Sequence, residues 1–431
     1  MMSLPLQLAN AYRGGTMSKT SQPISSPDGA LAGLALCALM PSLGTSIANV
    51  ALPTFADVLD APFRQVQWIV IAYLVANTAL IAFAGRLGDL LGRRRLLVAG
   101  LIVFTLASLL CGMAPTLGWL VAARALQGAG AAVLMALAMA LVGETIPKQQ
   151  TGRAMGLLGT TSAVGTALGP TLGGLLISSF GWPAIFFVNL PLGLLALHLA
   201  MRHLPPDPTA PEAASRKPGF LTALREPTLA ASLAMTGLVS TVMMATLVVG
   251  PFYLARALGL ATTGVGLVMS AGPVVSAFTG VPAGRLVDRF GAQRMAIFGL
   301  VGMGGGCVAL ALSPTAWGVA GYLLPLVAVT ANYALFQAAN NTAVMQDVAA
   351  DRRGLVSGVL NLARNLGLIA GASAMGAVFA FASGAHDLAS AHGEAVAAGM
   401  RATFGTAAVL ITVALAIALR RGKAHFDGAA A

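Results

Sequence analysis

The chain has 431 residues, of which 57% are hydrophobic and only 9% charged, with a mean hydropathy of +0.83. A soluble domain carries about 25% charged residues, so a soluble fold is excluded. The net charge of +11 comes from 25 Lys plus Arg against 14 Asp plus Glu, and the three cysteines, Cys37, Cys111 and Cys307, all sit in apolar runs with neither disulfide nor metal-ligand spacing.

Residues 1–28 are polar and rich in Ser, Gly and Pro, too long and too polar for the basic start of a signal peptide, and are expected to form a disordered tail. A helix needs about 20 apolar residues to cross a bilayer. Twelve runs of that kind follow, near 29–53, 65–87, 95–114, 117–144, 152–180, 183–203, 226–256, 261–286, 293–313, 316–346, 353–383 and 396–420. Residues 204–225, with five prolines and the basic pair Arg216 and Lys217, form the long polar break between the sixth and seventh runs, and residues 421–431 form a closing tail. The expected fold is an all-α polytopic membrane protein with six helices in 29–203 and six in 226–420.

Cytoplasmic loops hold an excess of Lys and Arg. Taking alternate loops, twenty basic residues fall on one side, including Arg93, Arg94, Arg95, Arg285, Arg289 and Arg294, and three on the other, Arg64, Arg256 and Arg401. Both termini are therefore expected in the cytoplasm of an inner-membrane protein. The pI of 10.4 then reflects topology, not a nucleic-acid partner.

Several segments stand out in chain order. The first span contains Leu43–Pro53, LGTSIANVALP. The second is followed by GRLGDLLGRRR, Gly85 to Arg95. The fourth contains Arg124, Gln127, Gly128 and Gly130, and the fifth contains GTALGPTLGG from Gly165 to Gly174. Gly165, Gly169 and Gly173 share one helix face, which allows close packing, and Pro170 removes a backbone hydrogen bond. After the eighth span comes GRLVDRFGAQR, Gly284 to Arg294, which begins 199 residues after Gly85 and matches the earlier loop at six of eleven positions. Two six-helix bundles related by duplication are implied, and such repeats place a substrate site at their interface near the bilayer midplane.

These residues resemble the major facilitator superfamily. Gly85, Leu87, Asp89, Gly92, Arg93 and Arg94 match its G-x-L-x-D-x-x-G-R-[RK] signature. The resemblance implies a conformational latch built from Gly85, Asp89, Gly92, Arg93 and Arg94 and repeated at Gly284, Asp288 and Gly291. Arg124 to Gly130 is similar to the R-x-x-Q-G-x-G pattern of drug and proton antiporters. Gly165, Gly169, Pro170, Gly173 and Gly174 are similar to the antiporter pattern G-x-x-x-G-P-x-x-G-G. Leu43–Pro53 resembles L-D-x-T-I-V-N-V-A-L-P of the drug:proton antiporter group with fourteen-span members, here with twelve spans and with Gly44 where that pattern holds Asp.

Ionisable residues inside a membrane are costly and mark function. All fourteen acidic residues fall in tails, loops or helix ends, while Arg124 and Arg364 are embedded, and His198 is the one embedded histidine. The candidate cavity comprises Asn49, Tyr73, Asn77, Arg124 and Gln127 from the first half. Met243, Met244, Tyr333, Gln337, Asn340, Asn341, Asn361 and Arg364 complete it from the second. Amides offer two-way hydrogen bonding, and methionines adapt to irregular shapes. No phosphate-binding G-x-x-x-x-G-K-[ST] loop and no intramembrane catalytic or metal cluster is present. The expectation is a monomeric, cofactor-free secondary transporter that is not an enzyme and exports small amphipathic compounds by alternating access, with the proton gradient as energy source. Gly44 keeps open a second possibility, an uncoupled exporter or facilitator of a neutral or anionic metabolite.

Overall fold

The computed structural model describes residues 27–146, 151–207, 227–345, 353–384 and 393–429. The tail up to residue 26 and most of the interbundle linker, 208–226, lie outside them. The described residues contain helices and no strands. In lipid every backbone N–H and C=O must be satisfied within its own segment, and helices built from Leu, Ala, Val and Met runs do this while presenting apolar side chains.

The spanning helices of the first half are α1 Pro27–Val50, α2 Trp68–Leu91, α3 Arg93–Gly112, α4 Leu117–Thr145, α5 Thr151–Phe180 and α6 Asn189–His203. Those of the second are α7 Pro227–Phe252, α8 Thr262–Phe290, α9 Ala292–Leu312, α10 Gly318–Met345, α11 Arg353–Ala370 and α12 Gly393–Ala429. Among the described residues eleven helices meet the length and hydropathy of a span, and the bent second one makes twelve. Their surface is apolar: Phe180, Phe278, Leu312, Leu324 and Phe381 are each at least 70% exposed, which suits hydrocarbon and not water. Two boundaries differ from expectation. The first span breaks after Val50 and resumes as the short helix Leu52–Val58. The last helix runs on to Ala429, because no proline or turn follows Arg420 to stop it.

The duplication legible in the loops recurs in the packing. α1 packs on α5, α2 on α4 and α3 on α4, and correspondingly α7 packs on α11, α8 on α10 and α9 on α10. Gly165, Gly169 and Gly173 lie against the α1 backbone; a Cβ at Gly165 would stand 2.8 Å from the Leu39 carbonyl oxygen. Ser46 Oγ donates to the Thr166 carbonyl across this seam at 2.8 Å. The equivalent seam of the second half places Gly367 against Gly237 and Gly371 against Thr241, with Thr241 Oγ1 donating to the Gly367 carbonyl at 3.0 Å. Gly92 and Gly291 end their helices with φ of 95° and 87°, which an L side chain rarely adopts.

We call the end carrying the Gly85–Arg95 and Gly284–Arg294 loops the basic end and the opposite one the far end. Between the halves, the α5–α8 contact is extensive and the pseudo-equivalent α2–α11 contact much slighter.

Candidate functional site

The polar and aromatic groups that join the halves gather at the far end. Arg256, in a π-helical turn after α7, pairs with Asp57 of the Leu52–Val58 helix. These two residues are 199 apart, the offset of the repeat, as expected of equivalent positions meeting across a pseudo-two-fold axis. Phe63 packs edge-on against Phe252 at 4.8 Å and against Phe379 at 5.2 Å. Thr171 Oγ1 bonds Ser270 Oγ, and Ser178 Oγ accepts from Thr263 Oγ1 at 3.1 Å. Gly174 and Pro170 meet Thr262, Thr263 and Gly266 of α8, so the fifth-span motif serves two seams, one within its own half and one between halves.

Arg124 on α4 is fully buried, at the centre of the first half. Its Nε donates to the Ile69 carbonyl at 3.1 Å, and its Nη1 donates to the Gly44 carbonyl at 3.3 Å and to Gln127 Oε1 at 2.5 Å. Gln127 Nε2 in turn donates to Ser108 Oγ at 2.7 Å, and the guanidinium lies 4.3 Å from the centroid of the Tyr73 ring. Tyr73 donates to the Pro41 carbonyl at 3.1 Å. One cation thus ties α1, α2, α3 and α4 through carbonyls, an amide and a ring, with no carboxylate. A Cβ at Gly44 would stand 3.4 Å from Phe104 and 4.0 Å from Gln127 Nε2. An acid at position 44 would therefore enter this same network. Asn77 reaches only Met135 Sδ, at 3.8 Å, and both amide atoms of Asn49 are buried without a partner.

The second half differs. A cavity of about 270 Å³ lies toward its basic end, between α7, α10 and α11. Tyr333, Gln337, Asn340, Asn341, Asn361 and Arg364, six of the expected residues, all line it. Asn340 Nδ2 donates to Thr236 Oγ1 at 2.9 Å, and its Oδ1 is buried without a donor. The remaining expected residues lie elsewhere: Tyr73, Arg124 and Gln127 form the first-half network, Asn49 and Asn77 are buried without joining it, and Met243 and Met244 are packed into the core of the second half. The expected site drew on both repeats, whereas this cavity is walled by the second alone. Thr236, Ser240 and Met345 also line it and were not foreseen, since Ser, Thr and Met recur in most spans and single out no position.

At the basic end, Asp89 accepts from Arg93 of the next helix at 2.7 Å. The exposed N–H groups at the start of α3 are covered by a residue that the sequence did not single out, Asp207. Its Oδ1 accepts from Arg94 N at 2.8 Å and its Oδ2 from Arg95 N at 3.0 Å. A carboxylate there satisfies orphan donors and complements the helix dipole. Gly85 and Gly284 have no described neighbour within 4 Å of where a Cβ would stand, so at these two the close approach expected of the motif glycines is not made. Asp288 is exposed, and His198 is exposed on the outer surface of α6.

The family model described as Major Facilitator Superfamily matches residues 34–372. The chain belongs to this superfamily. Among facilitators it is similar to the uncharacterized transporter YebQ of Escherichia coli, 31% identical over 81% of this chain and 89% of that one. It is similar to the riboflavin transporter RibZ of Clostridioides difficile, 28% identical over 79% and 86%. A shorter stretch, 37% of this chain and 30% of the other, is 41% identical to multidrug resistance protein Stp of Mycobacterium tuberculosis. The fold also matches the crystal structure of a bacterial homolog of the human lysosomal transporter Spinster, with a TM-score of 0.77, 18% identity, and coverage of 92% of this chain and 97% of that one. The chain is a multi-pass membrane transporter of the facilitator fold, and not an enzyme.

Proposed function

We propose that this facilitator exports small amphipathic compounds or drugs across the inner membrane by alternating access, in exchange for protons, and works as a monomer without a cofactor. The observation that carries the reading is one-sidedness: the bonds joining the halves gather at the far end, while the amide-lined cavity lies toward the basic end. The twenty-to-three distribution of basic residues supports a cytoplasmic basic end, with both termini there. The arrangement is then one of the two states of the cycle, closed outside. The Asp89–Arg93 pair and the Asp207 contact at the basic end both lie within the first half, so they do not hold that end closed in this arrangement. The likeness to Stp supports drug export.

A second reading, flux without proton coupling, is favoured by a specific feature: Gly44 leaves the Arg124 network with no acid to carry the proton. Purified protein in liposomes with an imposed pH gradient, assayed with riboflavin and with the amphipathic dye ethidium, separates the two. Antiport predicts gradient-driven flux that moves lumenal pH. Flux unchanged by a protonophore overturns proton exchange and leaves the uncoupled reading.

A further inference from the structure

The two embedded arginines are not equivalent. Arg364, on α11 one turn beyond Asn361, is half-buried in the cavity wall, and among the described residues it has neither an ion-pair nor a hydrogen-bond partner. The twelve lining residues include no Asp or Glu, so nothing in the wall neutralises it. A guanidinium that faces a cavity with no anionic partner in its wall favours an anion that can accept two parallel N–H bonds. Around it the wall supplies amides from Gln337, Asn340 and Asn341, and apolar surface from Phe336 and Leu360.

We propose that this cavity binds the carboxylate of a small organic anion at Arg364, with the ring or hydrocarbon body of that anion against the apolar wall. The assignment rests on the transporter reading above and narrows its substrate class. The volume, about 270 Å³, suits a one- or two-ring molecule. The amides hydrogen-bond other polar groups on the body without demanding a particular charge, so Arg364 alone sets the preference for an acid over its neutral isostere.

The test is equilibrium binding by calorimetry to the purified full-length protein, using 2-naphthoate and its neutral isostere 2-naphthamide. Wild type is expected to bind the acid about tenfold or more tightly than the amide, a difference of about 1.4 kcal/mol. Arg364→Gln removes that preference while keeping naphthamide affinity within about threefold, which also shows that the variant is folded. Arg364→Lys keeps part of it, having the charge without the fork. Equal binding of acid and amide by wild type, or a preference surviving in Arg364→Gln, overturns the anion assignment. Binding of neither probe to folded wild type overturns the anion assignment together with the cavity as a substrate site. Pairing the assay with flux of 2-naphthoate and of ethidium in liposomes separates the readings: flux of either probe with no acid preference in binding sinks this inference alone, and flux of neither sinks the transport reading.

Discussion

Each half of the molecule holds one arginine within its spanning helices, and the two halves treat it in opposite ways. In the first half, Arg124 meets the carbonyls of Gly44 and Ile69, the amide of Gln127 and the face of Tyr73, and no exposed surface remains on it. In the second, Arg364 faces a cavity with no partner among the described residues. An embedded cation is therefore no sign of a binding site by itself. What distinguishes the two is how many backbone carbonyls and side-chain acceptors the packing brings within reach of the guanidinium.

The largest expected effect follows from removing Arg124, whose Nε and Nη1 are bonded while Nη2 is buried without a partner. Arg124→Ala loses three hydrogen bonds to a charged group and a ring contact, a cost on the order of 4 kcal/mol. Monodisperse yield and melting temperature should fall sharply. Arg364→Ala should leave both nearly unchanged, within about 0.5 kcal/mol. Comparable losses of folded protein in the two variants would erase the distinction.

A smaller effect separates the repeated glycines. Gly92→Ala and Gly291→Ala each force a positive φ on an L residue, costing about 1–3 kcal/mol. At position 92 the new Cβ also collides with Asp207, whereas at 291 no described atom lies within 4 Å. Gly92→Ala should therefore be the more destabilising by about 1 kcal/mol, the worth of the helix cap it displaces. Thermal unfolding of the two single variants, of Asp207→Ala and of Gly92→Ala combined with Asp207→Ala checks this, since in the Asp207→Ala background Gly92→Ala should cost no more than Gly291→Ala.

The smallest effect concerns the pair that links the halves. The Asp57–Arg256 bridge is partly exposed, its side chains 47% and 28% accessible, so Asp57→Asn should weaken far-end closure by only about 0.5 kcal/mol. The far-open population should rise about twofold. Distances between spin labels placed across the far end of the two halves would report it, and no shift would assign closure to the aromatic and α5–α8 contacts instead.

Much of the architecture was legible beforehand because it depends on local pattern. Runs of about 20 apolar residues give spans, and the match between Gly85–Arg95 and Gly284–Arg294 gives the duplication, which the packing pairs repeat. The spacing of Gly165, Gly169 and Gly173 foretold a close seam, although not that Gly174 and Pro170 would also meet α8. The candidate site was legible only in its second half. Gln337, Asn340 and Asn341 share a face at helical spacing and do line one cavity, whereas Arg124 and Gln127 of the first half turned inward to one another. Asp207 gave no signal at all, being one acid in a proline-rich break. Asp57 and Arg256 carried a faint one, their separation by the repeat offset.

Composition, periodicity and repetition alone thus determined a polytopic helical protein with two related halves, its orienting charge pattern, and the identity of its two embedded cations. Only the tertiary structure decided which cation is a structural tie and which is free to meet a ligand, that the halves are joined at one end, and which residues wall the cavity. Helical spacing sets which side chains share a face. The rotation and tilt of each helix against its neighbours, set by glycine seams more than 100 residues apart in sequence, set what that face meets.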